Sequence, residues 1–243
     1  MACSSCYTML CRTMASRRHH VIRPSSLPTT SQGWAALAHT ATQLETTIAP
    51  EELLIVRDTQ GRHMRLAGPP PGMRARLGAV LLLLFPQGGD LCLPLTVRSE
   101  HLPHHSGEVS LPGGATDPGD SGPIATALRE CEEEIGVPQG GLAIWGEFAP
   151  IYILPSNFQV TPVVAYSQIA PQLYVNPYEV SDIILVTLRD LLDPAMVLTE
   201  RRTLRGTVVD VPYFAIGQQK VWGATALVLS EFTARMRRVL ADG

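Results

Sequence analysis

The sequence predicts an α+β fold, an α/β/α arrangement in which a mixed β-sheet packs between helices. Two observations support this prediction. From residue 77 onward, short apolar runs are separated by Gly and Pro, and two helical patterns lie between and after these runs. The runs cover 77–85, 91–97, 142–153, 159–167 and 183–186, and the helical patterns cover 124–135 and 224–240. The 243 residues suffice for about one domain with a tail, or for two small domains.

The first 47 residues differ in composition from the rest of the chain. They contain one carboxylate, Glu45, and four arginines among many serines and threonines. This bias is found in organelle transit peptides. A disordered or partly helical tail, or a start chosen upstream of Met9 or Met14, explains it better, because no clean apolar or amphipathic pattern is present. Helices are expected over 34–45 and, more briefly, over 50–56.

The expected domain organisation has three parts. Residues 1–47 form the tail, residues 48–76 form a short helix and a Pro/Gly linker, and residues 77–243 form the folded domain. The linker prediction rests on the segment AGPPPGMRARLGA (67–79), which cannot hold regular structure for long.

The overall composition excludes several classes of protein. A net charge of −3 and a pI of about 6.2 give no global sign of a nucleic-acid or anionic-membrane partner. The longest apolar run, 77–85, is too short to span a bilayer. Five cysteines, an odd number, argue against a disulfide scaffold, and the pair Cys3 and Cys6 alone is weak evidence for a metal. We therefore expect a cytoplasmic protein without a nucleic-acid or membrane partner, and a homodimer is left open.

Residues 126–137 read TALRECEEEIGV and place four glutamates within five positions, in a chain that is only 17% charged. On a helix with 3.6 residues per turn, the apolar residues here form one stripe that would face the sheet. The stripe consists of Ile124, Leu128, Cys131 and Ile135. Gly136 would end the helix, and Asp120 or Ser121 would cap its start.

The glutamates opposite this stripe allow two interpretations. Glu130, Glu133 and Glu134 share one side of the helix, where like charges three or four residues apart repel by about 0.2–0.5 kcal/mol per pair. A run of charges is most often a solvated acidic face. The same three carboxylates also make a hard-oxygen site for Mg²⁺ or Mn²⁺, whose charge would offset the repulsion. The helix alone leaves both interpretations open.

The segment RECEEEIGV (129–137) resembles the end of the Nudix box, the signature of a family of hydrolases. The usual box has a glycine, five residues, a glutamate, seven residues and then an arginine. Here Gly114 is followed by five residues, Asp120, eight residues and Arg129, so the acid is shorter and the loop is one residue longer.

The upstream segment LTVRSEHLPHHSGEVSLPGG (95–114) is similar to the signature of the coenzyme A diphosphatase branch of this family, from which Val97, Pro103 and Leu111 depart. Further segments look like later motifs of the same branch, so the resemblance covers roughly residues 77–240. These segments are PSNFQVTPVVA (155–165), NPYEV (176–180) and KVWGATALVL (220–229).

The resemblance implies the Nudix α/β/α sandwich and a metal-dependent hydrolase. The enzyme would cleave the diphosphate bond of coenzyme A or acyl-CoA, giving 3′,5′-ADP and 4′-phosphopantetheine or its acylated form. Glu130, Glu133 and Glu134 would hold Mg²⁺ or Mn²⁺. Arg129 would face away from the metal and pair with Asp120 to fix the preceding loop.

Other positions complete the expected site. The general base is either a box glutamate or Glu179, which could equally be a surface acid before a strand. Residues expected to bind the substrate are Arg98, Ser99, His105, Gly113 and Gly114. His104 and His105 admit three readings: a phosphate contact, a base, or a solvent-facing pair. Trp222, Tyr152 and Tyr213 could stack on adenine or belong to the core.

Two alternatives to the coenzyme A reading are open. The chain could act on another nucleoside diphosphate derivative, such as ADP-ribose or a dinucleotide, because specificity lies in loops. It could also be a Nudix module that binds a nucleotide without catalysis. Such a module would be expected to lack a box glutamate, and all three are present here.

Overall fold

The computed structural model describes residues 27–99 and 107–242. Its helices are α1 (Ser31–Gln43), α2 (Pro123–Ile135), α3 (Leu188–Leu192) and α4 (Gly223–Asp242). Its strands are β1 (Arg57–Asp58), β2 (Arg76–Gln87), β3 (Asp90–Arg98), β4 (Val109–Ser110), β5 (Gly113–Ala115), β6 (Ala143–Glu147), β7 (Ile151–Ile153), β8 (Phe158–Tyr166), β9 (Val180–Thr187), β10 (Val197–Leu204), β11 (Thr207–Ile216) and β12 (Gln219–Trp222).

The larger sheet has eight strands, and its main path runs β4-β3-β2-β8-β6. Strands β5, β7 and β9 pair with β2, β8 and β3, respectively. The pair β2 and β8 is parallel, and the other pairs are antiparallel. The predicted mixed sheet and the α+β class are therefore confirmed.

Strand β2 explains why the sheet is covered on both faces. Its side chains alternate, so Leu81 and Leu83 pack with the apolar residues of α2, whereas Leu82 and Leu84 pack with α1 and α4. All four leucines are fully buried. A strand buried on both faces reads as a continuous apolar run, which is why this segment was recognisable as a strand.

Helix α1 belongs to the same folded body. Trp34 is fully buried in the core on the α4 side of the sheet, and α1 packs against α4. The Arg235 guanidinium on α4 donates to the carbonyl oxygen of Leu44 at 2.7 Å, just after α1 ends. Part of the range that composition marks as a tail thus contributes to the core. The cysteine pair at residues 3 and 6 and the possible starts at residues 9 and 14 lie outside the described residues.

A second, four-stranded sheet consists of β1, β10, β11 and β12, and the sequence analysis missed it. Its central hairpin joins β10 to β11 through Arg205 and Gly206, which have φ of 50° and 79°. Two-residue turns with positive φ at both positions match the twist of hairpin strands. The strand β10 was missed because Glu200, Arg201 and Arg202 interrupt its apolar pattern.

Two other predictions need correction. The helix expected over 50–56 is only a single 3-10 turn, Pro50–Glu52, because the next residues are extended. The strand expected over 142–153 is two strands, β6 and β7, which both pair with β8. Among the described residues, no helix is long and apolar enough to cross a membrane.

Candidate active site

Helix α2 carries most of the candidate site. It begins at Pro123, whose fixed φ suits the first turn, and Gly122 precedes it, so the expected side-chain cap from Asp120 or Ser121 is wrong. It ends as predicted at Gly136, which has φ of 72° and donates its N–H to the Glu132 carbonyl at 2.9 Å. The predicted apolar stripe faces the sheet and fixes the rotation of the helix.

Arg129 connects the helix to the loop before it. Its Nε and Nη2 donate to the two carboxylate oxygens of Asp120 at 3.1 and 3.0 Å, and Nη2 also donates to the Ala115 carbonyl at 2.9 Å. Its Nη1 donates to Glu130 at 3.0 Å and to Glu133 at 2.9 Å. The expected pair with Asp120 is therefore present, but Arg129 does not face away from the glutamates, because it contacts two of them.

Asp120 anchors the loop in return. Besides Arg129, it accepts hydrogen bonds from the Thr126 hydroxyl and the Asp117 N–H, both at 2.9 Å. The Arg129 hydrogen bonds, together with these donors, hold the pKa of Asp120 well below its usual range. These contacts within the chain fix the shape of the loop between Gly114 and α2.

Three carboxylates converge beside α2. One oxygen from each of Glu130, Glu134 and Glu179 lies within 4.8 Å of the others, and we call this group the carboxylate trio. Glu133 differs from the expected arrangement, because its side chain is 50% exposed and hydrogen-bonded to Arg129. The structure therefore brings the distal Glu179, rather than Glu133, next to the other two box glutamates.

Backbone hydrogen bonds place Glu179. The last turn of α2 leaves carbonyl groups without helical partners, and the loop before β9 satisfies two of them. Tyr174 N–H donates to the Ile135 carbonyl at 2.9 Å, and Asn176 N–H donates to the Glu134 carbonyl at 3.0 Å. Asn176 then accepts the Glu179 N–H at 3.1 Å, which closes the turn. Sequence reasoning did not identify Asn176 as a positioning residue, although the NPYEV segment contained it.

Burial makes the trio electrostatically costly in the absence of a cation. Glu134 is only 5% exposed, and burial raises its pKa to about 8, opposed by the Gly113 N–H that donates to its Oε2 at 3.2 Å. The charges of Glu130 and Glu179 raise it further. Burial also raises the pKa of Glu130, although Arg129 opposes this effect. Buried carboxylates of this kind favour either a proton or a bound cation.

Two glycines let the trio approach the sheet. A Cβ on Gly113 would lie 2.3 Å from the Ala79 carbonyl oxygen, because β5 crosses β2 closely there. A Cβ on Gly114 would lie about 2.5 Å from the Glu130 carboxyl group. Neither position therefore accommodates a side chain without moving a neighbour, and at Gly114 that neighbour belongs to the carboxylate trio.

Strand β3 and the residue after it bring two of the expected substrate residues, Arg98 and Ser99, next to the carboxylate trio. A bulge at Val97 and Arg98 shifts the pairing with β9, and Ser99 N–H donates to the Glu179 carbonyl at 2.9 Å. The positive charge of Arg98 acts to lower the pKa of Glu134, so Arg98 is close enough to interact with the trio. His104 and His105 lie outside the described residues.

The trio fits a divalent cation. Mg²⁺ binds oxygen at about 2.1 Å in an octahedron, so its adjacent ligand oxygens are about 3 Å apart. The trio oxygens, which lie within 4.8 Å of one another, would need to close by up to about 1.8 Å, or to bind through water. Carboxylate oxygens suit Mg²⁺ and Mn²⁺ equally in ligand type. Among the described residues, Glu130, Glu134 and Glu179 could hold such an ion.

Three aromatic residues were suggested for stacking on adenine. Of these, Tyr152 is buried and its hydroxyl donates a hydrogen bond to Asn157 Oδ1 at 3.0 Å, which favours a structural role. Tyr213 and Trp222 are cross-strand partners in the second sheet and contact Lys220 and Arg202, respectively, through their rings. Neither set of contacts tests the stacking prediction.

Comparison with known proteins identifies the family of this chain. The model of the NUDIX domain matches residues 75–206, which is more than half of the chain. The uncharacterized Nudix hydrolase NudL of Photorhabdus laumondii is 34% identical over 72% of this chain and 95% of its own length. The mitochondrial coenzyme A diphosphatase NUDT8 of Homo sapiens is 36% identical over 70% of this chain and 74% of its own. The peroxisomal coenzyme A diphosphatase NUDT7 of Mus musculus is 37% identical over 53% of this chain and 54% of its own. With the box, the sandwich and these relatives together, the chain belongs to the Nudix hydrolase family.

Proposed function

We propose that this Nudix hydrolase cleaves the diphosphate of coenzyme A or acyl-CoA, giving 3′,5′-ADP and 4′-phosphopantetheine or its acylated form. The observation that carries the proposal is the carboxylate trio, held against Gly113 and Gly114 at the end of a strand that carries Arg98. The choice of substrate is supported by two relatives that are named coenzyme A diphosphatases.

The reaction needs charge neutralisation and a proton acceptor. A bound Mg²⁺ or Mn²⁺ would shield the diphosphate oxygens and lower the pKa of a bound water. We assign Glu130, Glu134 and Glu179 to holding this ion, with Glu133 as an outer partner through water. Water oxygen attacks phosphorus, the P–O bond to the other phosphate breaks, and a carboxylate accepts the proton from water. Glu179 is the best candidate for this base through its second carboxylate oxygen, the one that does not face the ion, because it lies on the loop side of the trio and is only partly buried.

Other residues of the chain bind and orient the substrate. Arg98 is assigned to a phosphate group, since a guanidinium offers paired donors to phosphate oxygens. Ser99, Gly113 and Gly114 would form the wall along which the diphosphate lies, and His105 is assigned to the same task. Arg129 is a positioning residue, because its donors are occupied by Asp120, Ala115, Glu130 and Glu133.

A substrate screen tests the proposal directly. The full chain with Mg²⁺ is incubated with coenzyme A, acetyl-CoA, ADP-ribose and a dinucleoside polyphosphate, and the products are identified by mass spectrometry. We expect 3′,5′-ADP from coenzyme A at the highest kcat/KM. Preferred cleavage of ADP-ribose or of the dinucleotide would overturn the coenzyme A assignment and leave the hydrolase assignment intact.

A variant separates the two ends of the substrate. If Arg98 reaches the 3′-phosphate, Arg98→Ala lowers kcat/KM for coenzyme A more than for dephospho-coenzyme A, which lacks that group. The matched control is Arg201→Ala, since Arg201 is 68% exposed on the second sheet and pairs with Asp210. An unchanged ratio for Arg98→Ala would assign Arg98 to the diphosphate instead.

Location and assembly stay predictions. The expected cytoplasmic location rests on composition, and the names of two relatives place those proteins in mitochondria and in peroxisomes. The homodimer and the lack of a nucleic-acid partner are likewise unaltered predictions, and size-exclusion chromatography with light scattering tests the first.

A further inference from the structure

A cavity lies on the α4 side of the sheet, and its lining shares no residue with the carboxylate trio. Its volume is about 240 Å³, against about 30 Å³ for one water. Five of its lining residues are apolar, and we call them together the apolar wall: Ile48, Leu53, Ala149, Pro150 and Ile151. The other five are polar or charged, and we call them the polar wall: Thr46, Thr47, Arg65, Glu231 and Arg235. We call this cavity the Arg65 pocket.

The polar wall carries an excess of positive charge. Arg235 is fully engaged, because it donates to Glu231 Oε1 at 2.9 Å and to the carbonyls of Leu44 and Thr46 at 2.7 and 3.4 Å. Glu231 therefore neutralises Arg235 first. Arg65 remains as the second guanidinium of the wall, so two positive charges face one negative charge.

Arg65 is also incompletely hydrogen-bonded. Its Nε is shielded from solvent and has no hydrogen-bond partner among residues 27–99 and 107–242. Burial lowers the pKa of the Arg65 guanidinium, and the attraction of Glu231 opposes this effect. Solvent-shielded donors in folded proteins normally have a protein or water acceptor, so Arg65 Nε is available to an acceptor that enters the pocket.

The pocket is held open by its surroundings. Arg238 donates to Thr46 Oγ1 and to the Thr47 carbonyl at 3.2 Å, so α4 clasps the chain segment that forms the pocket rim. On the other side, the Arg235 guanidinium lies 4.6 Å from the centre of the Phe148 ring, next to Ala149. These contacts tie down the chain segments on both sides of the pocket.

We propose that the Arg65 pocket binds a small aliphatic carboxylate, with its anionic group on Arg65 and its hydrocarbon part against Ile48, Leu53 and Pro150. A monoanion matches the excess of one positive charge, whereas a phosphate dianion would leave a negative charge uncompensated in a half-apolar cavity. A short hydrocarbon part suits the apolar wall, since burial of each CH₂ group is favourable. The proposal does not depend on the substrate of the carboxylate trio.

Binding is tested first on the unmodified chain. Isothermal titration calorimetry is performed with acetate, butyrate and hexanoate, with butyramide as the uncharged control and inorganic phosphate as the alternative anion. We expect saturable binding that tightens from acetate to hexanoate, and none with butyramide. Equal binding of butyramide, stronger binding of phosphate, or no saturable binding of any carboxylate would overturn the proposal.

Variants then locate the site. Arg65→Gln keeps much of the side-chain volume and should weaken hexanoate binding at least about tenfold. Arg62→Gln is the matched control, since the Arg62 side chain is 75% exposed and pairs with Asp58 outside the pocket. Heteronuclear NMR with hexanoate should shift the amide signals of residues 46–48, of Ala149 and of Ile151. Unchanged affinity in Arg65→Gln, or shifts confined to other residues, would refute the assignment.

Discussion

Replacing Glu134 with glutamine separates a charge that serves a cation from one that merely lies on a surface. Burial raises the pKa of Glu134 to about 8, from an ordinary value near 4.5. The folded chain therefore keeps this proton through a range in which the unfolded chain has lost it, so stability falls as pH rises from about 4.5 to about 8. A difference of one in pKa corresponds to about 1.4 kcal/mol. The rise from 4.5 to about 8 therefore lowers the free energy of unfolding by about 5 kcal/mol at most above pH 8.

Glutamine has no such proton to lose, yet it keeps the shape and can still accept the Gly113 N–H with its carbonyl oxygen. In the presence of a chelator, Glu134→Gln should match the wild type in stability near pH 5 and exceed it by up to several kcal/mol near pH 9. Turnover with Mg²⁺ should nearly vanish, because one negative charge of the trio is lost. Greater stability and lost activity are thus expected in one variant.

The assay is urea unfolding at pH 5, 7 and 9 with chelator, alongside Mg²⁺-dependent release of product at pH 7–8. Glu132→Gln is the matched control on the same helix, since Glu132 is exposed and its side chain accepts a hydrogen bond only from Gln139 among the described residues. A stability difference that does not change with pH would show that Glu134 is not a costly buried acid. Turnover like that of the wild type would remove Glu134 from the proposed metal site.

Three further predictions follow from the contacts of the fold. Gly114→Ala should push the Glu130 carboxyl group away and weaken Mg²⁺ binding with little loss of stability. The control is Gly119→Ala in the same loop, where a Cβ meets nothing within 4 Å, and it should change neither Mg²⁺ binding nor stability. Calorimetry with Mg²⁺ measures the binding of both variants. Trp34→Ala should lower the free energy of unfolding, measured in urea, by about 3–5 kcal/mol, because α1 contributes to the core. For the same reason, a chain that begins near residue 47 should fold poorly rather than keep full activity. Arg129→Lys loses the bidentate contact with Asp120, so the melting temperature should fall by several degrees and turnover should fall with it. Lost turnover at an unchanged melting temperature would contradict the positioning role.

The local parts of this protein were accessible from sequence because they depend on short-range periodicity. The stripe of α2, its end at Gly136 and the buried strand β2 follow from spacing and residue type within about a dozen positions. The Asp120 to Arg129 pair could also be expected, because the resemblance linked two residues of one loop and helix. By contrast, α1 was placed outside the domain because it lies within the first 47 residues, whose composition is poor in acidic residues. The place of α1 in the folded domain depends on the packing of Trp34 against residues far along the chain.

The composition of the candidate site was decided by tertiary structure. Sequence spacing placed Glu130, Glu133 and Glu134 on one side of a helix, but a helix side is wide enough to send its carboxylates in different directions. Arg129 holds Glu133 outward by a hydrogen bond, since the two are one turn apart. Glu179 reaches the trio only because the loop before β9 pairs its backbone with the last carbonyls of α2, a long-range contact that no local pattern encodes.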